Sequence, residues 1–405
     1  MMGIWIAGGI VTLCGALSFA ELAAALPQTG GFYAYLREGW GRRAAFLFGW
    51  SQLVLIRASA LGGVAMVFGE YFLRALGIDP GTHVLGARAL AATAMALAAA
   101  TNIVGTGLGA VVVNVSSTAK FLALGILIAA ALALGGGAGQ GIEPLAAVPD
   151  GGIASGGLGL ALVSVLWAYD GFADISFAAG EVRHPQRNLP IAIIGGTLAI
   201  VAIYVLANLA YLHVLPLDRI RQSPLVAADT MMVVFGRVGA VLVSSLVAVS
   251  AFSSLNGIML SSPRVFFAMA EDGLLFARLA RVHGRFNTPH VAILLAALLG
   301  MTLVMSQTFE TLSNTFVLAI WPFYALTVAA VYRLRRTRPD LPRPYRVIGY
   351  PVVPGIFVAT VVWFVANALV TEPISTGLTF ALILAGLPVY QLLFAAKQRR
   401  SDQRS

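Results

Sequence analysis

The residues Leu166-Trp167-Ala168-Tyr169-Asp170-Gly171-Phe172 stand at the centre of an apolar segment running from Leu158 to Ala179. The segment leaves through Glu181-Val182-Arg183-His184-Pro185-Gln186-Arg187-Asn188-Leu189-Pro190. About 20 apolar residues carry a helix across the hydrocarbon core of a bilayer. A carboxylate and a glycine sit halfway along this crossing. Glycine weakens a helix interior, and a charge at mid-bilayer is costly. Unwound backbone is tolerated at that depth where it lines a cavity instead of facing lipid. The segment therefore predicts a helix broken within Tyr169 to Ala173, the arrangement with which secondary transporters bind substrate at the midplane. The same residues also fit a kinked, buried helix whose Asp170 has a structural partner.

Composition gives the class. Of 405 residues, 59% are hydrophobic and 11% charged, where a soluble domain carries about 25% charged residues. The mean hydropathy is +0.87. These values predict an all-α polytopic membrane protein. Cys14 is the single cysteine, so an intramolecular disulfide and a cysteine metal site are excluded. The five histidines are scattered without metal-ligand spacing, and neither metal nor cofactor is expected.

About eleven apolar crossings are predicted, over 4–26, 44–69, 85–103, 108–135, 158–180, 190–213, 237–262, 290–306, 312–333, 350–370 and 376–394. No loop is long enough for a separate soluble domain, so residues 1–405 read as one transmembrane domain. Two connections, Phe32 to Arg43 and Phe267 to Phe286, are amphipathic and are expected along the membrane surface. Of the 26 Lys and Arg, 19 fall in one set of alternate loops and the tail, and 5 in the opposite set. This asymmetry orients the chain in the plasma (inner) membrane with a cytoplasmic C-terminus. It also explains the net charge of +9 as topology, so membrane lipids and not nucleic acid are the expected surroundings.

Four stretches carry a family resemblance. They are Gly15-Ala16-Leu17-Ser18-Phe19-Ala20-Glu21-Leu22 through Pro27-Gln28-Thr29-Gly30-Gly31-Phe32-Tyr33-Ala34-Tyr35-Leu36, and Trp167 to Phe172 with the Glu181 to Pro190 exit. The others are Arg264 with Ala268-Met269-Ala270-Glu271-Asp272-Gly273-Leu274-Leu275, and Arg338-Pro339-Asp340-Leu341-Pro342-Arg343-Pro344-Tyr345. In this order the chain resembles the amino acid–polyamine–organocation superfamily from its second span to its twelfth, with wording similar to bacterial relatives of L-type amino acid transporters. The resemblance implies a LeuT-type fold of inverted repeats, an amino acid or related amine as substrate, and sodium-independent transport. The family's Gly-rich first span has no counterpart here. An upstream start is one expectation. The other is a degenerate relative that no longer transports and acts as a sensor or partner protein. An intramembrane enzyme has no support, since no nucleophile–base pair or metal motif stands in the spans.

The expected substrate contacts are Trp167, Ala168, Tyr169, Asp170, Gly171 and Phe172. Carbonyls freed at the break attract an ammonium, and freed N–H groups a carboxylate. Trp167 and Tyr169 are bulky enough to close over a ligand, and the resemblance places an outer gate at Trp167. Ordinary packing is the competing reading of both rings. Lys120 stands where the resemblance places a lysine that takes the place of sodium, with Ser250, Ser253 and Ser254 as its expected partners. A lysine snorkelling to the surface, and serines that join helices, are the alternatives. Arg57 is too central to snorkel and is expected to pair with Asp174 or Asp170. Glu21 reads as a structural or gating group.

Overall fold

The structure is a computed structural model that describes residues 1–395 apart from 136–154, 277, 278, 280 and 287. Arg278 and the basic tail from Lys397 to Arg404 lie outside the described residues. Fifteen α-helices follow in chain order: α1 Met2–Ala25, α2 Phe32–Trp40, α3 Arg42–Ser51, α4 Arg57–Ala75, α5 Val84–Val104, α6 Thr106–Leu134, α7 Ser155–Ala168, α8 Pro185–Val214, α9 Leu217–Gln222, α10 Val226–Glu271, α11 His290–Ser306, α12 Phe309–Thr337, α13 Val352–Thr371, α14 Pro373–Leu384 and α15 Gly386–Tyr390. A π-helical turn, Gln52–Ile56, joins α3 to α4, and a 3₁₀-helix, Asp174–Glu181, follows α7.

Eight of the described helical stretches are long and apolar enough to cross a membrane. Shorter apolar stretches, Lys120–Leu134, Gly157–Ala168 and His290–Ser306, occupy the other expected crossings. The chain is thus a multi-pass, all-helical membrane protein. Two expectations need correction. The helix expected over 237–262 is α10, and its 46 residues are too long for one straight crossing, about 69 Å against a core of about 30 Å. Its direction changes at Gly236, whose φ of 61° only glycine adopts freely. Its far end, to Glu271, takes up the start of the expected surface connection 267–286, which therefore begins later than expected, at Asp272. By contrast α2 is a helix, and most of it is buried under its neighbours.

Packing pairs α1 with α8 and α4 with α10 most extensively, each pair taking one member from either half of the chain. Small residues allow the approach: a Cβ on Gly8 would stand 2.6 Å from Val165 Cγ1, and one on Gly9 2.8 Å from Val201 Cγ1. That places α1 directly against α7 and α8, as expected where helices associate through close van der Waals contact and not through a hydrophobic force. The centre is aromatic. Phe32 stacks on Tyr324 at 4.9 Å, Phe19 meets Tyr324 edge-on at 5.7 Å, and Trp321 stacks on Phe357 at 5.6 Å.

At the basic end, loops are tied by ion pairs. Glu21, 2% exposed, accepts from Arg335 Nε at 2.9 Å and Nη2 at 2.6 Å, and from the N–H of Val347 at 2.7 Å. Arg343 Nε lies 3.5 Å from the same carboxylate. Asp272 is held by Arg37 Nη1 at 2.8 Å and by the Tyr33 hydroxyl at 2.6 Å. Glu38 pairs with Arg338 at 2.6 Å. Three connections, around α2, after α10 and after α12, are thereby clamped together.

Candidate functional site

The sequence of α7 sets up the break. Helical geometry ends at Ala168, and residues 169–173 form successive turns before the 3₁₀-helix begins at Asp174. Gly171 has φ +87°, a conformation that costs a residue with a Cβ about 1–2 kcal/mol. Tyr169 N–H still donates to Val165, and Asp170 N–H to Trp167 in the tighter i→i−3 pattern. Past that point the ladder stops: among the described residues, the carbonyls of Leu166 and Ala168 and the N–H groups of Phe172 and Ala173 have no backbone partner. Unpaired acceptors at the end of one half-helix are thus followed, within a few residues, by unpaired donors ahead of the next. Such groups hold the two charged ends of a zwitterion.

The predicted residues divide by environment. Asp170 Oδ1 accepts a 2.9 Å hydrogen bond from the Tyr324 hydroxyl of α12, and Gly171 N–H also points to this carboxylate. Asp170 and Asp174 are surrounded by protein on most sides but remain accessible at one face. Trp167, partly exposed, stands edge-on to Phe309 at 5.0 Å and packs on α4 at Gly63. Tyr169 does not close over the break. Its hydroxyl donates to the carbonyl of Trp5 at 3.1 Å, and its ring lies between Trp5 and Tyr204. It is 2% exposed and pins the end of α7 to α1 and α8. Phe172 likewise turns into the aromatic centre, edge-on to Phe19 at 5.5 Å and Tyr324 at 5.6 Å. Both rings anchor the turn because apolar surface was available on its protein side.

The expected contact pair of Arg57 and Asp174 is not formed. Arg57 is 5% exposed, and among the described residues it comes within ion-pair distance, 4.0 Å, of neither aspartate. The π-turn over Gln52–Ile56 shifts the helix face at this point, and the guanidinium lies over the Phe177 ring at 5.4 Å. From there its charge acts on both Asp170 and Asp174 through space. The π-turn had no signal in the sequence.

Lys120 lines a cavity of 310 Å³ between α6, α8 and α10, together with Ser250, Ser254, Tyr204 and Tyr211. Its ammonium lies 5.7 Å from the Phe121 ring. Ser253, 2% exposed, is not part of that lining. Asn256 joins helices: its Oδ1 accepts from Thr101 Oγ1 at 2.9 Å and Asn102 Nδ2 at 3.0 Å of α5. The sequence reading missed Tyr324, because a single tyrosine within an apolar run carries no signal of its own. Among the described residues, no group of three or more His, Cys, Asp or Glu side chains is placed to hold a metal ion.

Four matches to known proteins bear on this geometry. A model of the family described as amino acid permease matches residues 1–390. The serine/threonine exchanger SteT of Bacillus subtilis is 33% identical over 403 residues, covering 98% of this chain and 89% of its own. The human cystine/glutamate transporter is 31% identical, covering 96% of this chain and 77% of its own. The human b(0,+)-type amino acid transporter 1 is also 31% identical, with shares of 96% and 79%.

Proposed function

Because this chain belongs to the amino acid permease family, a family of membrane transporters and not of enzymes, we propose that it exchanges amino acids across the plasma membrane around the break at 169–173. Nothing in its relatives favours a sensor or partner protein that does not transport. The observation that carries the reading is the break itself: carbonyls and N–H groups without backbone partners lie on either side of Asp170, at the middle of a crossing. The substrate class is the zwitterionic amino acid, whose ammonium and carboxylate match these two sets of dipoles. Leaving either charged end unpaired would cost several kcal/mol of desolvation, so both sets are needed. Trp167 bounds the site on the Phe309 side. Relatives named as a serine/threonine exchanger and a cystine/glutamate transporter support an amino acid cargo, and the first of them an exchange mode.

Lys120 fills the role of a coupling sodium. Its cavity brings it to the same space as Ser250 and Ser254, and a fixed ammonium there supplies the positive charge that sodium-coupled carriers take from solution. The basic end, with the C-terminus, faces the cytoplasm. The chain operates by alternating access as one transmembrane domain over 1–405.

The test is counterflow. Liposomes holding the purified protein and preloaded with single unlabelled amino acids are given a labelled mixture, with and without sodium. Saturable uptake that depends on the preloaded amino acid and ignores sodium is expected. Uptake equal to that of protein-free liposomes for every amino acid would overturn the reading.

A further inference from the structure

Outside the backbone break, the most unusual feature of the molecule is its charge count beside it. Asp170 and Asp174 flank the turn at Gly171 at mid-crossing, and a Cβ on Gly171 would stand 4.0 Å from Asp174 Oδ2. Among the described residues, Arg57 is the cation that acts on both. From α12 the Tyr324 hydroxyl faces Asp170, and among the described residues no further ionisable group from α1, α8 or α10 acts on the two carboxylates. With both aspartates ionised the cluster holds two negative charges against one positive, deep among helices.

A buried ion that is not matched costs several kcal/mol, and two neighbouring carboxylates do not both stay ionised in such surroundings. The Arg57 guanidinium does not satisfy them by contact. Its Nε has no hydrogen-bond partner, and neither amide atom of Gln52, one π-turn before it and 0% exposed, has one. Yet both aspartates keep an accessible face. A partly exposed site short of one positive charge, beside a guanidinium whose Nε makes no hydrogen bond, fits the smallest cation.

We propose that Asp170 and Asp174 together hold one proton opposite Arg57, and that this proton is exchanged with water as the protein changes conformation, linking amino acid transport to protons. The proton enters from the aqueous side from which the two carboxylates are accessible and binds one carboxylate oxygen. The other carboxylate stays ionised and is balanced by Arg57. After the carboxylates become accessible from the opposite side, the same O–H bond breaks and the proton leaves there. Lys120, in a separate cavity, takes no part in this step. The transport half of the proposal rests on the break being the translocation site, and the protonation half does not.

Infrared spectroscopy of the purified protein reads the proton directly. At neutral pH the native protein should show the carbonyl stretch of a protonated carboxylic acid, shifted in heavy water and shifted again when aspartate is labelled with ¹³C. Asp174→Asn and Asp170→Asn should each abolish it, because one carboxylate facing Arg57 stays ionised. Should either variant fold poorly, the isotope shift in native protein still identifies the group, and Asp174→Glu should move the band without removing it. In liposomes with equal pH on both sides, native exchange should change with pH by up to about tenfold per unit, the limit for one proton, and Asp174→Asn should flatten that profile. A native spectrum without the band overturns the proposal. So does a pH-independent exchange by the native protein. No exchange at any pH, with the band present, would count against the transport reading while upholding the proton.

Discussion

The hydroxyl of Tyr324 donates a 2.9 Å hydrogen bond to Asp170 across 154 residues of chain. This bond fixes the one charged side chain at the break to α12, so the turn has a defined position relative to the helices around it. Tyr324 itself is 0% exposed and stacked on Phe32. Tyr324→Phe keeps the ring and removes only the donor. Leaving a buried acceptor unpaired costs about 1–3 kcal/mol. The variant should express at the native level, melt at a lower temperature and exchange roughly tenfold more slowly, which thermal-shift and counterflow measurements decide. Unchanged melting and exchange would remove Tyr324 from the site.

Gly171 tests the broken geometry. Its φ of +87° is strained for any side chain, although a Cβ would meet only Asp174 Oδ2 at 4.0 Å. Gly171→Ala should therefore destabilise by about 1–2 kcal/mol through backbone strain alone. The effect should be absent for Gly195→Ala, a glycine in α8 with open space around its Cα. Equal melting temperatures for the two variants would mean that residue 171 does not adopt this conformation.

Lys120 is expected to matter for transport more than for folding. It is partly exposed to its cavity, with an aromatic ring as its recorded neighbour. Lys120→Ala should change stability by no more than about 0.5 kcal/mol, the ordinary range for a side chain outside the core. Uptake should fall at least tenfold, with no gain of sodium dependence in the native protein. Full activity of the alanine variant would defeat the coupling role.

The clamp at the basic end predicts a different signature. Glu21 is almost fully enclosed and receives two arginines and a backbone N–H. Removing one partner of a buried pair costs 3–5 kcal/mol, and about 3 is expected here because Arg335 keeps some exposure. Glu21→Ala should thus lower stability strongly, whereas Arg338→Ala, which removes the exposed pair with Glu38, should change it by less than about 1 kcal/mol. Similar losses for both would show that enclosure does not set their strengths.

Local patterns in the chain were enough to find the crossings and the break. Apolar runs of span length located helices such as α1, α5 and α11, and an Asp-Gly pair in mid-run marked 169–173. What stayed hidden depends on contacts between distant segments. Tyr324 reaches Asp170 only after α12 packs on α7, and Arg335 reaches Glu21 across 314 residues. The surroundings of Tyr169 were not readable either: an aromatic ring beside a break suits a gate or an anchor, and its hydrogen bond to the carbonyl of Trp5 forms only in the folded chain. Arg57 was recognised as needing an anionic partner, but the π-turn before it carries no residue pattern, so its offset from Asp174 could not be foreseen.

Whether an amino acid occupies the break is read most directly by substrate protection. Cys14 is the only cysteine and is buried, so Cys14→Ser gives a background without thiols. Ala168→Cys in that background places a single, partly accessible thiol on the last helical residue before the turn. Its rate of labelling by a water-soluble thiol reagent should fall saturably with added substrate amino acid, at half-protecting concentrations that match those for counterflow. A labelling rate indifferent to every transported amino acid would place the substrate elsewhere and contradict the account.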